Sequence, residues 1–270
     1  MVRTYRRKVT GLCRERSIAL RERRGTFAAT LEHMHPTARY RAVIGSITIL
    51  SGLLAAACII VGTLAVENDF DAFSDPTRTL LHAHNHVLAY WFNILDLFGY
   101  YLLLLPLVFH LHQLYKYRSP WVPLLTFSGA AYALVGAIGA AILAAVWPPL
   151  MQDHLSAVAS EQHAITIAFK TVTLAVTKGL WNILEVLFGA VWWIGMGLLL
   201  RSTSQWLGLI TIITGIATIL DAVGNLFDLQ LIAEVGLNGY LLLGIIWPVV
   251  IGMWVLRSGS PLRSAKSIDL

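Results

Sequence analysis

Two apolar stretches of the chain each carry three polar residues at the spacing i, i+4 and i+7: Lys178, Asn182 and Glu185 in the first, and Asp221, Asn225 and Asp228 in the second. In a helix, this spacing places the three side chains on one face. Ionisable groups at membrane depth are costly unless they face a partner or a wet cavity. The two matched stripes therefore predict one polar site shared by consecutive helices.

An internal repeat adds a third acidic position to this site. The segment WFNILDLFG at 91–99 resembles WNILEVLFG at 181–189. The polar residues of the two segments correspond at a constant offset: Asn93 with Asn182, and Asp96 with Glu185. The helices that follow begin WVPLLTFSG and WLGLITIITG. Spans two–three and four–five therefore form a weak repeat of one helical hairpin, and the two copies are parallel because each contains two helices.

Depth along the predicted helices favours a common site for Asp96, Glu185 and Asp221. At about 1.5 Å per residue, all three lie roughly 21–24 Å from the inner ends of their spans, in the outer third of a hydrocarbon core about 30 Å thick. Carboxylates at close quarters cannot all ionise, so at least one is expected to hold a proton or to pair with Lys178.

Two interpretations of these polar residues stay open. The leading hypothesis is an outward-facing pocket that binds or transports a small polar or cationic ligand, or protons. The alternative is a structural or assembly protein in which a hydrogen-bond network without a ligand holds the helices together.

Three alternating histidines, His82, His84 and His86, precede the second apolar run. In a helix, His82 and His86 would share a face and His84 would point away, so alternation suits an extended metal-chelating segment better. Binding of a metal ion or haem by these residues would indicate a membrane redox enzyme. The alternative is that they are ordinary loop or interface histidines.

The composition is that of a multi-pass membrane protein. The 270 residues are 57% hydrophobic and 13% charged, with a mean hydropathy of +0.67, whereas soluble domains have about 25% charged residues. Six apolar runs are long enough to cross a bilayer, at about 42–66, 87–109, 121–147, 179–200, 206–229 and 236–256. Because open strand edges are not tolerated in lipid, we predict an all-α bundle of six transmembrane helices.

The third run is rich in small residues, in two sets with a spacing of four: Gly129, Ala133 and Ala137, and Gly136, Ala140 and Ala144. Such spacing permits close packing of helices in lipid. Trp147-Pro148-Pro149 is expected to end this span. Residues 150–177 are then expected to form an outer, amphipathic segment that merges into span four.

Basic residues are distributed unevenly between the predicted loops. Seventeen of the 20 Lys and Arg residues fall on one side of the membrane if both termini are cytoplasmic; Arg78, Lys170 and Lys178 fall on the other. The positive-inside rule then predicts that both ends lie in the cytoplasm. Residues 1–40 are expected to be a disordered basic tail near anionic lipid, 41–257 the membrane domain and 258–270 a second tail. Met34 offers a second position at which translation could begin.

Several common classes of function are not expected. The chain has no nucleotide-binding loop, HExxH, GxSxG or CxxC motif, which argues against ATP-driven transport and the commonest hydrolases. Two cysteines, Cys13 and Cys58, do not form a disulfide framework. The net charge of +5 follows from the loop asymmetry rather than from a folded basic domain, so nucleic-acid binding is not expected.

The stretch GLWNILEVLFGAVWWIGMGLLLRSTSQWLGLITIITGIATILDAV resembles a family of bacterial six-helix membrane proteins classed as a domain of unknown function. That family has a span ending in a glycine-spaced apolar run, then a basic residue and Ser, then an LG-rich helix ending near an Asp. The matching positions are Gly195, Gly197, Arg201, Ser202, Leu207, Gly208, Gly215 and Asp221. The resemblance extends over most of residues 38–256 and implies a fold and a membrane location but no chemistry. The histidines at 82–86 and the basic tail depart from the family pattern.

The charge distribution makes the topology testable. Reporter fusions at residues 70 and 155 should behave as periplasmic, and fusions at 118 and 202 as cytoplasmic, because the basic residues stay on the cytoplasmic side. A cytoplasmic signal from the fusions at 70 or 155 would contradict the predicted orientation.

Overall fold

The computed structural model describes residues 38–257, which form six helices long and apolar enough to cross a membrane: α1 (Ala38–Ala65), α2 (Pro76–Tyr115), α3 (Val122–Ser156), α4 (Ala159–Leu200), α5 (Gln205–Leu226) and α6 (Gln230–Arg257). Residues 38–257 contain no β-strand. The predicted all-α class with six membrane-spanning helices is confirmed. The two predicted tails lie outside the described residues, except that 38–40 belong to α1.

Consecutive helices run antiparallel and contact one another along their length. The contacts that join neighbours include the hydrogen bonds His112–Thr126 and Trp147–Thr173 and the close approaches of Gly197 to Gly208 and of Gly224 to Ala233. We call the end of the bundle with residues 66–75 and the turns at 157–158 and 227–229 the acidic end, and the opposite end the terminal end.

Helix α1 lies against both α2 and α6, so the first and last helices also meet. A side-chain carbon added at Gly52 would lie 2.7 Å from the carbonyl oxygen of Ile245 in α6. On the other side, Gly99 of α2 faces the backbone of α1, and its carbonyl accepts a hydrogen bond from the Ser51 hydroxyl. Small residues therefore allow the backbones to approach at both contacts, as expected for helices in lipid.

Helices α3 and α4 are too long to be contained in a bilayer. The 42 residues of α4 correspond to about 63 Å, roughly twice the hydrocarbon thickness. At the acidic end, where α3 and α4 extend beyond the length of a bilayer, a second apolar cluster packs them against the start of α2. Its buried members include Leu80, Trp147, Met151 and Phe169. This part of the molecule therefore has a small core of its own above the membrane-spanning part.

The predicted end of α3 at Trp147-Pro148-Pro149 is wrong, because the helix continues through both prolines to Ser156. Each interior proline disfavours a helix by about 3 kcal/mol. Packing beyond the prolines offsets this cost: Met151 is 1% exposed, and Trp147 stacks on Phe169 with ring centroids 5.4 Å apart. The chain turns only at Ala157, whose backbone is extended.

An ion-pair network holds the segment between α1 and α2. Arg78 donates two hydrogen bonds to Asp69, from Nε at 3.1 Å and from Nη2 at 2.7 Å. Its Nη1 contacts Asp71 at 2.6 Å. A guanidinium that bridges two carboxylates in this way fixes their geometry as well as their charge.

A second set of contacts joins this segment to the start of α2. The Glu67 carboxylate contacts His84 Nε2 at 2.7 Å and accepts a hydrogen bond from Asn85 at 3.2 Å. These two hydrogen bonds, and the nearby imidazoles of His84 and His82, lower the pKa of Glu67 below its ordinary value of 4.5. A lowered carboxyl pKa stabilises the folded segment above that ordinary value, and the stabilisation is lost as the pH falls through the lowered one.

Glu67 therefore predicts a pH-dependent loosening of residues 66–75. Hydrogen exchange of these amides, corrected for intrinsic rates, should accelerate as the pH falls below about 4.5, the ordinary Glu value. In Glu67→Gln the same amides should exchange faster than in the wild type at neutral pH and change little with pH. The same pH dependence in both proteins would rule Glu67 out as its source.

Candidate functional site

Three carboxyl groups are buried inside the bundle, one each on α2, α4 and α5. Asp96, Glu185 and Asp221 are 8%, 1% and 1% exposed. The charges of Asp96 and Asp221 both act on Glu185 electrostatically. We call these three residues the carboxyl cluster.

Glu185 is the best-coordinated member of the carboxyl cluster. Tyr101 of α2 donates to its Oε2 at 3.0 Å, and Tyr240 of α6 contacts its Oε1 at 3.1 Å. Tyr240 in turn contacts the Tyr132 hydroxyl of α3 at 2.8 Å. Phenols from three helices therefore surround a carboxyl group on a fourth.

Glycines on α3 and α6 make room for these tyrosines. The ring of Tyr101 lies directly over Gly136, where any side-chain carbon would collide with it. Gly244 receives the ring of Tyr100 in the same way, with 2.7 Å to a hypothetical side-chain carbon. The predicted small-residue stripe of α3 thus accommodates aromatic side chains of its neighbours as well as helix backbone.

Two π-helical segments border the carboxyl cluster. One, Leu97–Tyr101, begins directly after Asp96, and the other, Ala175–Glu185, ends on Glu185. A π turn spans one residue more than an α turn and so brings residues i and i+5 together. Asp96 and Tyr101 are related in this way, and the charge of Asp96 acts on the Tyr101 hydroxyl. Because π segments are concentrated at functional sites, their position in both repeat copies favours a functional role.

Asp221 is held by an amide on its own helix. Asn225 Nδ2 donates to Asp221 Oδ1 at 2.8 Å and to the Asp221 carbonyl at 3.0 Å. Asn182 of α4 donates to Asn225 Oδ1 across the helix boundary, at 3.5 Å. On the far side, Gly236 of α6 packs against the Asp221 backbone.

Two carboxyl oxygens of the cluster, Asp96 Oδ2 and Asp221 Oδ2, are buried and have no hydrogen-bond partner among residues 38–257. A buried polar atom without a partner is normally costly by about 1–3 kcal/mol, and more when it is charged. Native structures contain few such atoms, and each calls for a cause such as an ion or a functional role. A proton, a water molecule or a ligand would each supply these two oxygens with the partner that the described residues do not provide.

The other predicted site residues lie away from the cluster or at its rim. Asn93 donates to Ala89 of its own helix, and its buried Oδ1 has no partner among the described residues. Lys178 and Asp228 are exposed at the acidic end. Lys178 forms no ion pair within residues 38–257, so the predicted pairing of Lys178 with a buried acid is not formed.

The predicted metal or haem site at His82, His84 and His86 is not formed either. The segment folds as a short 3₁₀ helix, Leu80–Asn85, so alternate residues point in different directions. His82 and His84 turn to Asp69 and Glu67. Within the described residues, no group of three or more His, Cys, Asp or Glu side chains is placed to hold a metal ion.

The sequence analysis missed the tyrosines that line the cluster, Tyr101, Tyr132 and Tyr240. Each stands near the middle of an apolar span, where a phenol needs a hydrogen-bond partner in place of water. Mid-span position was therefore the signal that could have found them. It does not by itself show which tyrosines face the same carboxyl group.

Comparison with known families gives one result. The family described as "Domain of unknown function (DUF4386)" matches residues 50–259, more than half of the chain. No curated protein and no solved structure matches the chain.

The contact of Tyr101 with Gly136 makes the packing of the site testable. Gly136→Ala should lower the unfolding temperature in detergent, because overpacking a closely packed interior costs about 1–3 kcal/mol, and it should displace Tyr101 from Glu185. The matched control is Gly179→Ala, since nothing lies within 4 Å of a side-chain carbon at that position. Equal unfolding temperatures for the two variants would show that the ring does not depend on Gly136.

Proposed function

We propose a function for this chain, which belongs to the family described as a domain of unknown function (DUF4386). It is a multi-pass membrane protein that binds a small organic cation, in exchange for protons, at Asp96, Glu185 and Asp221. The cation is not a metal ion, since no three acidic side chains among residues 38–257 are placed to hold one. The observation that carries the proposal is the pair of buried carboxyl oxygens without partners, Asp96 Oδ2 and Asp221 Oδ2. Both belong to acids whose charges act on a third buried carboxyl group, that of Glu185.

Charge balance supports a cation at this place. Three carboxylates buried in a medium of low dielectric constant repel one another and lose hydration, so they cannot all be ionised without compensation. Lys178, the basic residue nearest to Glu185 in the sequence, is exposed. A proton or a bound cation would supply the missing positive charge, and exchanging one for the other keeps the charge of the site constant.

A path of decreasing exposure supports entry from the acidic end. Lys178 and Asp228 are exposed, Asn182 and Asn225 are partly buried and hydrogen-bonded to each other, and Asp221 is buried below them. Polar side chains thus continue from the surface to the carboxyl cluster between α4 and α5. The charge asymmetry supports an orientation in which both termini lie in the cytoplasm. In a bacterial plasma membrane, this path would then open to the outside of the cell.

The purely structural alternative accounts less well for Asp96. Polar groups that hold membrane helices together do so through hydrogen bonds between helices. Asp96 forms no such bond with another helix in the described part of the chain, and its Oδ2 is without a partner. A buried carboxyl group with this geometry contributes little to helix association, but it remains available to a ligand.

Exchange of cations for protons can be measured in liposomes that contain the purified protein and an internal pH-sensitive dye. External choline should raise the internal pH, whereas Na⁺ and K⁺, added separately, should leave it unchanged, because no three acidic side chains among the described residues are placed to hold a metal ion. Asp96→Asn and Asp221→Asn should each weaken the apparent affinity by about tenfold or more, because a hydrogen bond or contact to a charged group is worth about 1.5–3 kcal/mol.

Glu234→Gln is the matched control, because Glu234 is an exposed acid at the same end of the bundle and its variant should respond like the wild type. Amide substitution retains the shape of the side chain and removes a buried charge, so the fold should persist. An undiminished response in both aspartate variants, or no response of the wild type to choline, would refute the proposed function.

A further inference from the structure

A row of hydroxyl groups links Glu185 to the backbone of α2. Tyr240 lies between Glu185 Oε1 and the Tyr132 hydroxyl, at 3.1 and 2.8 Å. Tyr132 contacts the carbonyl oxygen of Tyr100 at 2.9 Å. Together with the Tyr101 contact to Glu185 Oε2 at 3.0 Å, the row contains four hydrogen-bond contacts.

The number of protons in this row depends on the state of Glu185. Each phenol donates one hydrogen bond, so Tyr101, Tyr132 and Tyr240 can together fill three of the four contacts. If Tyr132 donates to the Tyr100 carbonyl, then Tyr240 must donate to Tyr132, and Tyr240 has no proton left for Glu185. The fourth contact is filled only when Glu185 itself is the donor.

We propose that Glu185 binds the proton that is exchanged at this site, and that Tyr240 and Tyr132 reverse the direction of their hydrogen bonds when that proton leaves. The proposal rests on the function proposed above and deepens it, because it assigns the proton to Glu185 and leaves Asp96 and Asp221 as the cation ligands.

The proton transfer balances with water as the proton acceptor. In the protonated state, the Oε1–H of Glu185 donates to Tyr240, Tyr240 donates to Tyr132, and Tyr132 donates to the Tyr100 carbonyl. The Oε1–H bond then breaks, an O–H bond forms on a water molecule that enters from the acidic end, and the proton leaves with that water. The cation that binds at Asp96 and Asp221 balances the negative charge left on Glu185. The hydroxyls of Tyr240 and Tyr132 rotate toward Glu185, no bond of either phenol breaks, and the Tyr100 carbonyl loses its donor.

This last contact connects the proton to the conformation of α2. Tyr100 lies at the end of the π segment Leu97–Tyr101, which is followed directly by a 3₁₀ turn, Leu102–Leu104. At the junction, Tyr101 has non-helical dihedral angles, φ −125° and ψ −77°. The donor from Tyr132 therefore acts on the irregular turn of α2, and its loss removes one hydrogen bond between that turn and α3.

The groups that face Glu185 are acids and phenols from the helices packed around it. They are Asp96 and Tyr101 on α2, Tyr132 on α3, Asp221 on α5 and Tyr240 on α6. Cys58 of α1 lies farther out, close to Asp96 and Tyr100. Ionisation of Glu185 thus acts most strongly on the other two carboxyl groups, Asp96 and Asp221. These are the groups at which the cation would bind when the proton leaves Glu185.

Infrared difference spectroscopy of the folded, purified protein tests this assignment through the carbonyl band of a protonated carboxyl group. At neutral pH, the spectrum of the wild type minus that of Glu185→Gln should contain this band. Tyr240→Phe should shift the band to higher frequency, because the carboxyl proton loses its acceptor. Tyr115→Phe is the control: Tyr115 is a buried phenol bonded to Thr203 at the terminal end, and its variant should leave the band unchanged.

Tyr132→Phe provides a second variant that keeps the shape of the core. The carbonyl band should shift to higher frequency by less than in Tyr240→Phe, because Tyr240 remains as an acceptor but a weaker one. Amide exchange at residues 100–104 should also accelerate. An unchanged band in both Tyr240→Phe and Tyr132→Phe, or no Glu185 band at neutral pH, overturns this inference. If cation-driven proton exchange occurs but no Glu185 band is seen, only the present inference is overturned. If the Glu185 band is present but the protein does not respond to the cation, only the proposed function is overturned.

Discussion

Burial of three carboxyl groups at membrane depth is the constraint on which the rest of this bundle depends. Asp96, Glu185 and Asp221 are each less than a tenth exposed, in an environment where water cannot compensate their charge. The helices around them supply phenols, an amide and glycines, but not a basic side chain that reaches Glu185. Because buried carboxylates lose hydration and repel one another, a proton or a bound cation would offset the charge of this cluster.

Glycine and aromatic residues solve the steric part of the same problem. A phenol can reach a carboxyl group in the middle of a bundle only if the helix behind its ring has no side chain there. Gly136 provides that space for Tyr101, and Gly244 provides it for Tyr100. Trp193 then packs against Tyr132 and Tyr240, with ring centroids at 4.7 and 5.8 Å, and fixes both phenols. Rigid packing of this kind gives a hydrogen-bond row two discrete directions instead of a continuum.

The sequence predicted the elements and the depth of the acids better than their partners. Helical spacing and residue counts placed Asp96, Glu185 and Asp221 at one level because rise per residue is nearly constant in helices. The i, i+7 position of Asp228 was misleading, since α5 ends at Leu226 and Asp228 lies beyond it with a positive φ of 56°. The π segments and the row of tyrosines depend on which helices become neighbours, and a single sequence does not contain that information. Of the two interpretations of the histidines, the structure favours ordinary loop residues for a local reason, because a 3₁₀ turn stands where chelation needed an extended strand.

The two copies of the repeat show how one motif can serve two roles. Asp96 and Glu185 occupy corresponding positions, each three residues after an asparagine and each beside a π segment. The longer glutamate side chain reaches the hydroxyls of Tyr101 and Tyr240, whereas the shorter aspartate keeps a buried oxygen without a partner. One extra methylene group thus separates a carboxyl group committed to a hydrogen-bond row from one available to a ligand. A site that exchanges a cation for a proton needs both kinds, close enough for the charge on one to determine the occupancy of the other.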